Sequence, residues 1–87
     1  MQSSLQTSVI IPAYNAQHCL AHCLDSVFDQ AELPLQVIVV NDGSTDGTAE
    51  VAARYRGRIV YLEQDNRGQG AARNAGLEIA KGDLIAF

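Results

Sequence analysis

"LQVIVVNDGSTDGT", residues 35–48, joins an apolar, β-branched run, interrupted once by Gln36, to a cluster of carboxylates, glycines and hydroxyls. The opening run lacks the apolar/polar alternation of a half-solvated strand, so it reads as a strand covered on both faces. The polar cluster after it carries turn and helix-start chemistry. Gly43 permits a turn at positive φ and keeps the approach to its neighbours open. Ser44, Thr45 and Asp46 offer oxygens to the free N–H groups at the head of a helix. A buried strand that feeds a helix in this way is the first part of a βαβ unit.

The same stretch also looks like half a calcium loop, because Asp42, Ser44 and Asp46 alternate ahead of Gly47. A loop of the EF-hand type needs an entering helix and a bidentate acid at its twelfth position. Here a strand enters, and the twelfth position counted from Asp42 is Ala53. Calcium is rejected on both counts.

Three more apolar runs, at 8–11, 59–63 and 83–87, read as strands buried on both faces. Helical patterns lie between the strands. Residues 16–30 place Leu20, Leu24, Val27 and Phe28 on one stripe, with Cys19 and Cys23 beside it and Asn15 as the cap. Residues 46–55 carry Ala49, Val51, Ala52 and Tyr55, and residues 69–81 carry Ala72, Ala75, Leu77 and Ile79. The last helix is expected to close with Lys81 in its final turn and Gly82 in a left-handed conformation. Pro12 is expected to end the first strand, and Pro34 sits in the loop before the second. The order β-α-β-α-β-α-β implies right-handed crossovers and an α/β, doubly wound, mostly parallel sheet. No internal repeat or linker divides the chain.

Composition narrows the function classes. The 87 residues are 47% apolar and 18% charged, values of a globular rather than a disordered chain. A net charge of −4 argues against a general nucleic-acid or membrane-surface binder, which would want a basic face. No apolar run approaches the ~18 residues of a membrane span. "MQSSLQTS" has neither the basic start nor the apolar core of a signal peptide, so a cytoplasmic location is expected. "HCLAHC", residues 18–23, holds two Cys and two His at helical spacing. Both pairs share one helix, and no second cluster exists to close a zinc tetrahedron. The cysteines are expected in the core and the histidines on the surface. Phe87 falls inside an apolar strand, so truncation after the fourth strand is expected.

In open α/β sheets, ligands bind beyond the carboxyl ends of the strands. The loops there are "PAYN" at 12–15, "NDGSTDG" at 41–47 and "QDNRGQGAARN" at 64–74. Asp42 stands at the tip of the second strand, where a carboxylate can accept from a ring N–H or a ribose hydroxyl, or meet a buried cation. Tyr14 offers either a face for stacking a base or a packing ring under the loop. "GQG" at 68–70 is a weak dinucleotide fingerprint, since Arg73 replaces its third glycine and it follows the third strand. Arg67 and Arg73 are forked cations suited to phosphate, and the helix start adds a favourable dipole.

Together, "SVIIPAYN" at 8–15, "VIVVNDGSTDGT" at 37–48 and "NRGQGAARNAGLEIAKGDLIAF" at 66–87 resemble the family-2 glycosyltransferases of the GT-A type. The likeness covers nearly the whole chain, from about residue 7. It implies the N-terminal, nucleotide-binding half of a GT-A fold with strand order 3-2-1-4. The implied activity is inverting transfer of a sugar from a nucleotide sugar, usually a UDP-sugar, to an acceptor hydroxyl, in cell-envelope or polysaccharide biosynthesis. By resemblance, Pro12, Ala13, Tyr14 and Asp42 hold base and ribose, with Asp42 accepting from the uracil imide N–H. Arg73 orders the nucleotide or its phosphates, Gly68 and Asn74 shape the wall, and Asp46 is a cap.

The family's divalent metal, Mg or Mn, is held by an Asp-x-Asp motif after the fourth strand, and its catalytic base lies further on. Asp83, at the wrong end of that strand, is no substitute. This chain is therefore expected to contribute no metal ligand and no catalytic residue, to bind nucleotide weakly and to be inactive alone. The parent protein is expected to be cytoplasmic or peripheral at the inner face of the membrane. An exposed fourth strand at the sheet edge would also favour self-association.

Two rival classes are weaker. A receiver-like nucleotide-binding module wants an acidic cluster after the first strand and a phospho-acceptor after the third, where only Asp65 stands. A nucleotidyltransferase carries a Gly-rich loop after its first strand, and "PAYN" is not one.

Overall fold

The computed structural model describes residues 7–30, 35–80 and 84–86. The elements follow the expected order: β1 (Thr7–Ala13), α1 (Leu20–Gln30), β2 (Leu35–Asp42), α2 (Thr48–Ala53), β3 (Val60–Gln64), α3 (Gln69–Ile79) and β4 (Leu84–Ala86). The sheet runs β3-β2-β1-β4, and every pairing is parallel. The expected architecture and strand order are both present.

β2 shows why the chain folds this way. Its residues from Val37 to Asp42 are all buried. Val37 and Val39 join Ala13, Leu20, Leu24, Val51, Ala52 and Tyr55 in one core, against α1 and α2. Ile38 and Val40 join Ile10 and Ala72 in a second core, against α3. Side chains of a strand alternate between faces, so a run of apolar residues fills two cores at once. Burial of each such Val, Leu or Ile side chain is worth about 1.5–3 kcal/mol. Ser8, also fully buried, donates to Gln36 Oε1 at 2.7 Å.

Several sequence expectations are corrected. β1 does not end at Pro12; it runs through Ala13, with Pro12 opposite Val40. Among the described residues, β1 pairs on its other side with β4 through Thr7, Ser8 and Val9. β3 is not buried on both faces, because it is an edge strand: Val60 and Glu63 are exposed.

α1 starts at Leu20 rather than at residue 16, after a turn in which Ala16 O accepts the N–H groups of Cys19 and Leu20. Cys19 and Cys23 are exposed free thiols, not core residues. Each lies one position before Leu20 and Leu24, which is about 100° round the helix from the buried stripe. Partial burial, with the Cys19 thiol nearby, pushes the Cys23 thiol up from its ordinary pKa. His18 and His22 are exposed, as expected.

α2 is shorter than residues 46–55, though Tyr55 is buried as expected, its hydroxyl donating to Asp25 Oδ1 at 2.7 Å. α3 ends at Ile79, and Ala80 is already extended. The Lys81 and Gly82 expectations, like those for Pro34, Asp83 and Phe87, lie outside the described residues. Leu77, expected on the apolar face, is 42% exposed. Gly76 takes the buried place one turn beyond Ala72.

Candidate functional site at the carboxyl ends of the strands

The parallel register brings three strand ends level. Ala13 lies opposite Asn41, and Asp42 lies opposite Gln64. The loops after β1, β2 and β3 therefore emerge side by side. Four of the six expected site residues meet here: Pro12 and Ala13 at the end of β1, Tyr14 just beyond, and Asp42 at the end of β2.

Asp42 is 4% exposed, and its carboxylate is well supplied with donors. Oδ1 accepts from Gln64 Nε2 at 2.8 Å and from the Arg67 N–H at 2.8 Å. Oδ2 accepts from the Gly68 N–H at 2.9 Å. The Gln64 amide and then the Arg67 N–H, assisted by Gly68, hold the carboxyl below its ordinary pKa against the opposing effect of burial. Asp42 is thus an ionised acceptor at neutral pH. A carboxylate offers about four acceptor sites. The remaining one lies on Oδ2.

This arrangement brings Gly68 into direct contact with Asp42, as a backbone donor. Gly68 has φ 96, and its carbonyl accepts the Ala72 N–H at the head of α3. Arg73 stands within α3, half-buried, with Nη2 3.4 Å from Gln69 Oε1. The donors on Asp42 are Gln64, Arg67 and Gly68 rather than Arg73. Asn74 is exposed. Gly43 has φ 72, and a Cβ there would sit 2.7 Å from the Asn66 backbone nitrogen. The glycine is required both by its conformation and by the close passage of the β3–α3 loop.

Tyr14 is 48% exposed, so its ring is not fully buried under the loop. A cleft of about 410 Å³ is lined by Asn41, Gly43, Ser44, Glu63, Gln64 and Asp65. None of the six expected site residues lines it. The cleft flanks Asp42 on the β3 side, whereas Tyr14 lies on the β1 side. The sequence reading missed this wall. Asn41, Ser44, Glu63, Gln64 and Asp65 give it polar groups, and Asn41 Nδ2 donates to Tyr61 OH at 2.9 Å. A polar pair, Asn41 and Asp42, closing an apolar strand was the available signal.

Asp46, expected as a cap, is not the cap of α2, because the N-cap position is Gly47. Asp46 Oδ1 accepts the Thr48 N–H at 3.0 Å, two residues on. The other oxygens reach across to the β1–α1 loop. Ser44 Oγ accepts the Asn15 N–H at 2.8 Å, Thr48 Oγ1 the Ala16 N–H at 2.9 Å, and Asp46 Oδ2 the Gln17 N–H at 3.2 Å. In return Asn15 Oδ1 accepts the Thr45 N–H at 2.8 Å, and Gln17 Oε1 accepts the Gly47 N–H at 2.8 Å. Asn15 is therefore not the cap of α1. Its side chain is committed to the neighbouring loop. The Thr48 hydroxyl, fully buried, donates to Asp46 Oδ1 and is the largest cause of that carboxyl's lowered pKa.

Among the described residues, no three His, Cys, Asp or Glu side chains gather in a way that could hold a metal ion. No helix of the described residues is long and apolar enough to cross a membrane.

Known proteins share this sequence and fold. The model of the Glycosyl transferase family 2 matches residues 8–87. The chain is 42% identical over 83 residues to the glycosyltransferase GlyA of Streptococcus pneumoniae, covering 92% of this chain and 12% of that protein. It superposes with a TM-score of 0.83 and 31% identity on the mannosyltransferase PcManGT of Pyrobaculum calidifontis in complex with GDP-Man and Mn2+, covering 91% of this chain and 25% of that one. The same TM-score of 0.83 and identity of 31% hold for S. aureus TarS 1-349 in complex with UDP, with 93% and 26% covered. The chain spans 12 to 26% of the length of these three proteins.

Proposed function

The chain belongs to glycosyl transferase family 2, and from that membership we propose that it is the nucleotide-binding first part of an inverting, GT-A type glycosyltransferase. The donor is a nucleotide sugar, a UDP-sugar, and the acceptor is a hydroxyl. The observation that carries the reading is the pairing of Asp42 and Tyr14 at level strand ends. An ionised carboxylate with one acceptor site left ends β2, and a half-exposed aromatic ring stands just beyond the end of the neighbouring β1. A pyrimidine ring stacked on Tyr14 presents its imide N–H to such a carboxylate. Pro12 and Ala13 form the floor beneath the base. Gly68, in the left-handed region and free of a Cβ, lets the backbone approach, and Arg73 is placed one turn on for the phosphates.

Inverting transfer also needs a base to take the acceptor's proton as its oxygen attacks the anomeric carbon. The described residues supply binding and orientation, and none is assigned that role. The divalent metal that the family resemblance implies does not fit them, since no donor cluster forms among the described residues. We therefore expect the 87-residue chain to bind nucleotide weakly and to transfer no sugar. Turnover of a UDP-sugar by this chain would overturn that part of the reading.

The nucleotide is tested by titrating the chain with UDP, UMP, GDP and ADP, followed by NMR shifts at Tyr14 and at the Arg67 and Gly68 amides. UDP and UMP are expected to shift all three, and Tyr14→Ala and Asp42→Asn are each expected to weaken binding about tenfold or more. GDP belongs in the panel because the PcManGT structure holds a guanine nucleotide sugar. A preference for GDP would replace the pyrimidine assignment, and no shift with any nucleotide would overturn the site. We also propose that β4, which has β1 as its one paired neighbour among the described strands, is an edge that pairs with a second copy of the chain.

A further inference from the structure

Asn15 is the one non-glycine among the described residues with a left-handed backbone, at φ 49. That conformation is unfavourable for a residue with a Cβ, and it persists where the surroundings over-determine it. Here they do. Its N–H is held by Ser44 Oγ, its Oδ1 takes both the N–H and the hydroxyl of Thr45, and the next two N–H groups are held by Thr48 Oγ1 and Asp46 Oδ2. On the other side of Tyr14, Ala13 is buried in the core and paired in the sheet. The Tyr14 backbone is thus pinned at both ends, while its ring stands in solvent.

We propose that Asn15 is a positioning residue that fixes the Tyr14 ring for base stacking, and that Ser44, Thr45, Asp46 and Thr48 act on nucleotide binding through this loop without touching the ligand. The proposal rests on the reading of Tyr14 as the stacking face. Physically, a bend at Asn15 turns the chain, just after Tyr14, into the loop that leads to α1. A relaxed backbone there would let the ring take other orientations. Holding the bend removes that freedom before the nucleotide arrives, so less ordering remains to be done on binding. The hydroxyl-rich half of the 41–48 stretch is then a brace for the first loop. This gives Ser44, Asp46 and Gln17 a task that capping alone does not require.

The test compares Asn15→Ala, Asn15→Asp and Tyr14→Ala in the 87-residue chain. In the free protein, amide hydrogen exchange at Ala16 and Thr45 is expected to rise about tenfold in Asn15→Ala and to stay near the parent value in Asn15→Asp, which keeps the acceptor oxygen. With UDP, Asn15→Ala is expected to lose about tenfold in affinity and Asn15→Asp to recover most of it. The decisive measurement is the double variant of Tyr14 and Asn15, both to Ala. It is expected to bind no more weakly than Tyr14→Ala alone, because the brace acts through that ring. Unchanged exchange in Asn15→Ala, or an equal loss of affinity in the Tyr14→Ala background, would overturn the proposal. Should Asn15→Ala fail to fold, Ser44→Ala removes just the acceptor of the Asn15 N–H and carries the same comparison. If the parent chain bound no nucleotide, the stacking role would fall, and exchange at Ala16 and Thr45 would still decide whether Asn15 pins the loop.

Discussion

Asp42 joins three segments that are far apart in sequence: its own strand, Gln64 at the end of β3, and the N–H groups that open the way into α3. Because those donors hold its carboxyl below the ordinary value of 3.8, the unfolded chain takes up the proton more readily than the folded one. The clamp's contribution to stability is complete above that value and is lost as pH falls through the lower, folded one. Melting temperature measured across acid pH should therefore fall in this window, with the Arg67 and Gly68 amide shifts titrating together. In Asp42→Asn the acid dependence should shrink by the Asp42 share, leaving that of Asp46, whose carboxyl is lowered by Thr48. An unchanged profile in Asp42→Asn would remove the clamp from the account. The position of Asp42 was legible in the sequence, since a strand followed by turn residues is a local pattern. Its partners were not, because Gln64, Arg67 and Gly68 lie 22 to 26 residues away.

Elements were the most legible scale, and the errors in the helix faces share one cause. Periodicity marked where helices lie but not which neighbouring position faces the sheet. Leu20 and Leu24 of α1 pack in the core as expected, but Cys19 and Cys23, expected to be covered beside them, were left outside. In α3 the close approach of the helix to β1 selected a glycine over Leu77. A Cβ on Gly76 would stand 2.5 Å from Ile10 Cγ2. Gly76→Ala gains about 1 kcal/mol of helix propensity. Overpacking a tight core costs about 1–3 kcal/mol, and here the obstacle is the β-branch of a fully buried Ile10. The expected balance is a net loss of about 1 kcal/mol, read from urea unfolding. A variant as stable as the parent would show that α3 can step back from the sheet.

At the scale of the whole molecule, β3 and β4 lie at the two edges of the sheet among the described strands. Edge strands offer unpaired backbone groups to other chains, and proteins usually guard them. β3 carries an exposed Glu63 that opposes such pairing, which leaves β4 as the edge we expect to associate. Light scattering should then give a mass that rises with concentration, and a monomer at high concentration would exclude it. The order of strands and helices, the parallel sheet and the tip position of Asp42 are all set by hydrophobic period and turn chemistry, which act within a few residues. The occupancy of Asp42, the exposure of Tyr14 and of the cysteines, and the bracing of Asn15 by the 44–48 stretch are not. They depend on groups from separate loops, such as Asn15 and Thr45 at a separation of 30 residues, which meet once the parallel register has brought the strand ends level.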